Sequence, residues 1–144
     1  MFLIGLQKSL RAAMRVTTDP ALHTELARLF NIVSNLTGYL TSDAIQNLTA
    51  DRHTHDTPEN ILNSLEKLDG LIALYNREIV RISTEINRVN RANTMINADI
   101  YLNLAKQFKK GMEGQIKDSL RTKAHLARNM QSAARFAAGN NPRG

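Results

Sequence analysis

The feature that most constrains this chain is a run of apolar residues between positions 61 and 89 whose spacing alternates between four and three. Such alternation places every member on one stripe of an α-helix, where a neighbouring helix can bury it. We therefore predict a packing seam of the coiled-coil type in the middle of the chain. Its a positions are Leu65, Ile72, Ile79 and Ile86, and its d positions are Ile61, Leu68, Tyr75, Ile82 and Val89.

An earlier stretch, residues 1–48, carries a second seam with the same spacing. A cap and first-turn proline at Asp19 and Pro20 predict the start of this second helix. Before it, residues 2–16 place apolar residues on one helical face and basic residues on the other. This pattern predicts a short amphipathic helix. The second seam consists of Leu22, Leu26, Leu29, Val33 and Leu36, and Leu40 continues it.

Residues 49–57 have no apolar period and predict an exposed polar loop. Thr57 and Pro58 then provide a cap and a first-turn proline, so a strong helix start follows. The helical pattern extends over residues 58–138, and residues 139–144 form a tail.

Two architectures fit residues 58–110. Either one unbroken helix extends from Pro58 to near Lys110, or a turn near Asn90 to Thr94 folds the segment back as a helical hairpin. We favour the unbroken helix because no glycine or proline occurs between Leu71 and Lys110. Beyond Asn93, apolar residues recur every fourth position, a stripe that drifts around the helix.

The sequence predicts an all-α fold, an elongated helical bundle with a long heptad-patterned, coiled-coil helix. Only 3 Pro and 7 Gly are present, too few for the frequent turns of an all-β chain. No apolar run approaches the roughly 20 residues of a membrane span. Since there is also no cysteine, we expect a cytoplasmic location or an assembled particle, with no transmembrane segment and no evident secretion.

Positive charge is concentrated at the two ends of the chain. Residues 1–18 hold 3 basic residues and no acid, residues 19–105 hold 7 basic and 11 acidic residues, and residues 106–144 hold 9 basic and 2 acidic residues. A basic stripe on the last helix is a candidate site for nucleic acid phosphates or anionic lipid headgroups. It consists of Lys110, Lys117, Arg121, Arg128 and Arg135.

No pattern in the sequence is typical of an enzyme. His53 and His55 lie between two aspartates in the polar loop and are weak candidates for metal ligands, but so short a loop fixes no coordination geometry by itself. No phosphate-binding glycine loop and no serine, histidine and aspartate constellation is present. We therefore expect no catalytic residues, no cofactor and no small-molecule substrate.

These observations favour a structural or adaptor subunit that assembles through helix packing. The expected partners are copies of the chain in a homo-oligomer, or the subunits of a virion, a secretion-type complex or an organellar assembly. The alternative is a basic helical module that binds nucleic acid or an anionic membrane surface. The scarcity of aromatic residues, 5% of the chain, argues against recognition of single strands by base stacking.

Overall fold

The computed structural model describes residues 2–42, 45, 57–92 and 95–139, with side chains described as far as residue 131. Within these ranges the chain forms four α-helices and no strand, so the predicted all-α class is confirmed. The helices are α1 (Phe2–Val16), α2 (Pro20–Leu40), α3 (Pro58–Ala92) and α4 (Ala98–Gly139). The polar loop predicted over residues 49–57 lies outside the described residues except for Thr57.

Both predicted helix starts are confirmed. Asp19 precedes α2 in an extended conformation, and its carboxylate accepts a hydrogen bond from the backbone N–H of Ala21 at 3.1 Å, with Pro20 in the first turn. At the start of α3, the Thr57 hydroxyl accepts a hydrogen bond from the backbone N–H of Asn60 at 3.3 Å. Each cap satisfies a donor that the first helical turn leaves unpaired.

The unbroken helix favoured from the sequence is wrong. α3 ends at Ala92, and α4 begins at Ala98 and packs along α3 as the second arm of a hairpin. The two arms are antiparallel, since Lys123 on α4 bonds through Nζ to Oδ1 of Asp69 on α3 at 2.6 Å. The hairpin alternative is therefore the correct one, although α3 passes through Asn90 and the turn lies later than expected.

Asn97 supplies the backbone conformation that the turn needs. Its φ of 57° lies in the left-handed region, and its carbonyl accepts a hydrogen bond from the N–H of Ile100 at 3.1 Å. Asparagine tolerates this region better than other residues with a side chain beyond Cβ, because its short polar group bonds locally. A turn without glycine or proline is possible for this reason.

The α1–α2 hairpin packs on α4. α1 buries Leu3, Leu6 and Leu10, and it lies antiparallel to α2, with Gln7 Nε2 donating to Ser34 Oγ at 2.9 Å. Both α1 and α2 contact α4, whereas α2 and α3 make little direct contact along the described part of the chain. α4 is thus the helix shared by both hairpins, and a gap separates α2 from α3.

The buried face of α3 is rotated relative to the a and d assignment. All d positions are buried, but Leu65, Ile72 and Ile79 at a positions are only partly buried, while Ser64 and Leu71 at g positions are buried. α4 is the main packing partner of α3, so a single stripe centred on the d positions is covered. The side of α3 beyond the g positions faces the gap.

α4 buries a heptad-spaced seam that differs from its apolar stripe. The apolar residues that recur every fourth position turn gradually away from the core, as predicted. Phe108 and Met112 are fully buried, whereas Leu120, further along the same stripe, is 50% exposed. The seam includes polar residues, which is why apolar periodicity alone does not reveal it. Its buried members are Tyr101, Ala105, Phe108, Met112, Ser119 and Leu126, and the partly buried Gln115 and Thr122 complete the spacing.

Candidate functional site: a groove between α2 and α3

An open groove of about 1040 Å³ fills the gap between α2 and α3, above α4. Apolar side chains from α2 and α3 form its lower walls, and Phe108 of α4 lies at its base. α2 lines it from Glu25 to Tyr39, and α3 lines it from Lys67 to Glu85. At 1.5 Å per residue, these spans give a groove about 21 to 27 Å long. The apolar lining consists of Leu29, Ile32, Leu36, Ile45, Leu74, Ile82 and Phe108.

An ion-pair network joins α2 to α3 at one end of the groove. Arg88 on α3 donates through Nη2 to Glu25 Oε2 on α2 at 2.8 Å and to Glu85 Oε2 at 2.6 Å. These bonds, first to Glu85 and then to Glu25, raise the pKa of Arg88, which stays charged. Arg28 adds a longer contact of 3.7 Å to Glu25. The network neutralises a carboxylate that α2 would otherwise bury alone.

Tyr101 of α4 lies beside this network. Burial raises its pKa to about 12, and the nearby charges of Glu25 and Glu85 contribute to the rise, because an anion next to two carboxylates is disfavoured. The phenol therefore remains neutral at physiological pH. It provides a polar but uncharged surface at this end of the groove.

Tyr39 lines the opposite end of the groove, and the buried Tyr75 of α3 lies near it. Tyr39, at the end of α2, is 51% exposed and lines the groove. Tyr75 of α3 is buried, and burial raises its pKa, with a further rise from Tyr39 and a smaller opposing effect from Ser119. Glu25, near the start of α2, pairs with Arg88, near the end of α3, whereas Tyr39, near the end of α2, raises the pKa of Tyr75, which comes earlier in α3. α2 and α3 therefore flank the groove in antiparallel directions.

Acidic and basic side chains of the groove differ in exposure. The side chains of Glu25 and Glu78 are 10% and 14% exposed, whereas those of Arg28 and Arg81, which pair with them, are 65% and 60% exposed. Glu78 Oε2 is buried and accepts no hydrogen bond in the described part of the chain. An incoming ligand therefore meets the arginines before it meets the carboxylates.

The residues predicted to form packing seams divide between the core and this groove. Leu29, Leu36 and Ile82 are buried and also line the groove, so they lie at the boundary between the core and the gap. The remaining α2 seam residues are buried in the core. The groove thus lies at the edge of the predicted seams.

The basic stripe lies on an exposed side of α4, apart from the groove. Lys110, Lys117, Arg121 and Arg128 are exposed, and the side chain of Arg135 lies outside the described residues. Arg121 is 3.6 Å from Asp118, and both are well exposed, so solvent screens this pair. The structure does not bring the stripe to the groove.

The candidate metal ligands His53 and His55 lie outside the described residues. Among the residues that are described, no group of three histidine, cysteine, aspartate or glutamate side chains is placed to hold a metal ion. No helix in that part of the chain is long and apolar enough to cross a membrane.

Sequence reasoning did not identify the groove as a site. The signal that points to it is a pair of apolar residues outside the strict alternation of four and three, Ile32 on α2 and Leu74 on α3. Such residues widen an apolar stripe beyond what one neighbouring helix covers. They do not show by themselves that the second neighbour is missing.

The sequence matches no protein-family model, and it shows no significant similarity to curated proteins or to solved structures.

Proposed function

We propose that this protein is a non-catalytic adaptor that holds another protein by taking one of its helices into the groove between α2 and α3. The observation that carries the proposal is the groove itself, an apolar trough with polar rims between two helices that barely touch. Amphipathic helices bind to hydrophobic grooves of this kind through residues spaced three and four apart.

The dimensions of the groove support a helix as its ligand. The lining segments of α2 and α3 extend over about 21 to 27 Å, the length of a helix of about 14 to 18 residues. Because the groove is open to solvent, such a helix would bury one face and leave the other exposed.

An adaptor role is compatible with the elongated helical bundle that the sequence predicts. We propose that α3 and α4 form an elongated antiparallel coiled coil, supported by the seam on α4 that alternates four and three. Assembly into a homo-oligomer or a larger complex would use the exposed half of the bound helix or the outer faces of this hairpin. Light scattering on the purified chain measures whether copies of it associate.

A plug in the groove tests the proposal. Gly70 lines the groove, and a Cβ added there meets no atom within 4 Å, so Gly70→Trp fills the groove without disturbing the core. We expect wild-type protein to bind a 16-residue amphipathic helical peptide with leucines on one face and glutamines on its flanks. Fluorescence polarisation of the labelled peptide should show at least tenfold weaker binding to Gly70→Trp.

Gly5→Trp is the matched control. Gly5 is also exposed and helical, an added Cβ there meets no atom within 4 Å, and it lies on α1, outside the groove lining. This variant should bind the peptide as wild type does. Absence of saturable peptide binding to wild type, or equal weakening by both tryptophans, would contradict the proposal.

The alternative function, binding of nucleic acid or an anionic membrane by the basic stripe, has a narrower basis. Lys110, Lys117 and Arg128 are exposed and make no ion pair with the described residues. However, the apolar face of α1, which would have to enter a membrane, is buried against the bundle. We therefore keep this alternative as a second proposal that concerns α4 alone.

A further inference from the structure

We infer that the groove selects an amphipathic helix that carries acidic residues along the flank facing α3. This inference rests on the proposed function, since it names the chemistry of the helix that the groove takes. Its evidence is separate, because it comes from the charges of the rim and not from the apolar floor.

The charged residues of the lining are nearly balanced in number, so their exposure decides the sign that a ligand meets. Four are cations and three are carboxylates. Every carboxylate is covered or paired: Glu25 and Glu85 bond to Arg88, and Glu78 is 4.0 Å from Arg81. Lys67 and Arg77 are exposed and make no ion pair within the described ranges. The rim is therefore positive toward solvent.

The two rims of the groove are not equivalent. On α3, Lys67, Arg77 and Arg81 are exposed and follow one another along the wall. On α2, the exposed lining residues Asn31 and Asn35 carry no charge, and Arg28, the one cation that α2 adds to the lining, lies at the Glu25 end and pairs with Glu25 at 3.7 Å. Acidic residues on one flank of a bound helix would face three cations of α3, while the other flank would meet two amides and a single arginine that is already paired. The charge asymmetry thus favours one orientation of the bound helix.

The floor of the groove decides between an acidic helix and a phosphate polymer. The partly buried Ile32, Ile45 and Leu74 form the accessible apolar surface of the floor, above the buried Leu36 and Phe108, and phosphates and sugars would leave this surface poorly covered. An amphipathic helix covers this surface with its own apolar face and offers carboxylates to the rim. The combination of floor and rim therefore favours an acidic amphipathic helix over nucleic acid.

Three peptides with the same leucine face test the inference. Their flanking positions on one side hold glutamate, glutamine or lysine, and each labelled peptide is titrated with wild-type protein. We expect the glutamate peptide to bind about tenfold more tightly than the lysine peptide at low salt, with glutamine between them. The difference should shrink toward 1 M salt, where exposed charges are screened.

The double variant Lys67→Glu with Arg77→Glu should abolish or reverse the preference for glutamate. Lys110→Glu with Lys117→Glu makes the same change in net charge on α4, outside the groove, and should leave the order of the peptides unchanged. Circular dichroism of both variants checks that they stay folded.

The outcomes separate this inference from the proposed function. If the three peptides bind equally and Gly70→Trp weakens all of them, the groove binds helices but the inference is wrong. If none binds, the proposed function itself fails. Tighter binding of the lysine peptide would overturn the inference. So would an RNA duplex of 20 base pairs that displaces the glutamate peptide from wild type but not from the Lys67→Glu, Arg77→Glu variant.

Discussion

At the scale of single residues, Arg88 is the side chain that ties α2 to α3. It bonds to Glu25 across the two helices and to Glu85 within its own helix. Glu25 is buried, and a buried carboxylate without a cation is costly. Since the two helices make little other contact, this pair fixes one end of the groove.

Replacing Arg88 should therefore cost more stability than replacing other arginines of α3. We expect Arg88→Met to lower the free energy of unfolding by about 2 kcal/mol, because Arg28 at 3.7 Å compensates the Glu25 carboxylate only in part. Arg77→Met, in the same helix but exposed, should have little effect. Urea denaturation measures both values.

A second change distinguishes a lost ion pair from lost packing. In the Arg88→Met background, Glu25→Gln removes the uncompensated charge and should recover part of the stability. If Arg88→Met is no more destabilising than Arg77→Met, the ion pair does not hold α2 to α3.

At the scale of helices, the sequence indicated the starts of α2 and α3, the d positions of the buried face of α3 and the second hairpin as an alternative, but not the position of the turn or the seam of α4. The caps at Asp19 and Thr57 act within a few residues, so they can be read locally. The turn at Asn97 depends on a left-handed conformation that asparagine tolerates but does not require. The absence of glycine and proline therefore favoured one long helix in the sequence analysis, although the chain turns at this point.

The seam of α4 was hidden for a different reason. Ser119 is buried and Gln115 partly buried within it, so apolar periodicity drifts away from the face that packs. Which polar residues a helix can bury depends on partners from other helices, and a single sequence does not place those partners.

The approach of α1 to α4 depends on one glycine. A Cβ at Gly111 would overlap the ring of Phe2, whereas a Cβ at Gly114, one turn further on, meets no atom within 4 Å. Alanine is favoured over glycine inside a helix by about 1 kcal/mol. We expect Gly114→Ala to stabilise the protein by about that amount, and Gly111→Ala to give no gain because it displaces the Phe2 ring.

Thermal unfolding of a double-mutant cycle checks this expectation. In a Phe2→Ala background the overlap is absent, so Gly111→Ala should become stabilising, as Gly114→Ala is. Equal gains from the two glycine substitutions in the wild-type background would show that Phe2 does not pack against Gly111.

At the scale of the whole molecule, α2 and α3 lie side by side with little direct packing in the described part of the chain. α4 serves both hairpins, so α2 and α3 flank a gap above it instead of closing on each other. The seams indicate which faces are buried, but the relative placement of two hairpins is a tertiary property that heptad spacing does not encode. The groove could not be predicted from the sequence for this reason, although its apolar residues Ile32 and Leu74 were visible there.

The most direct test of the central claim is to map where a helix binds. The chain of 16.1 kDa suits amide chemical-shift mapping by NMR during titration with the glutamine-flanked amphipathic peptide. We predict saturable shifts concentrated at groove residues such as Ile32, Leu36, Gly70 and Leu74, with small changes at Lys117 and Arg128 on α4. Shifts confined to the basic stripe, or none at millimolar peptide, would contradict the account.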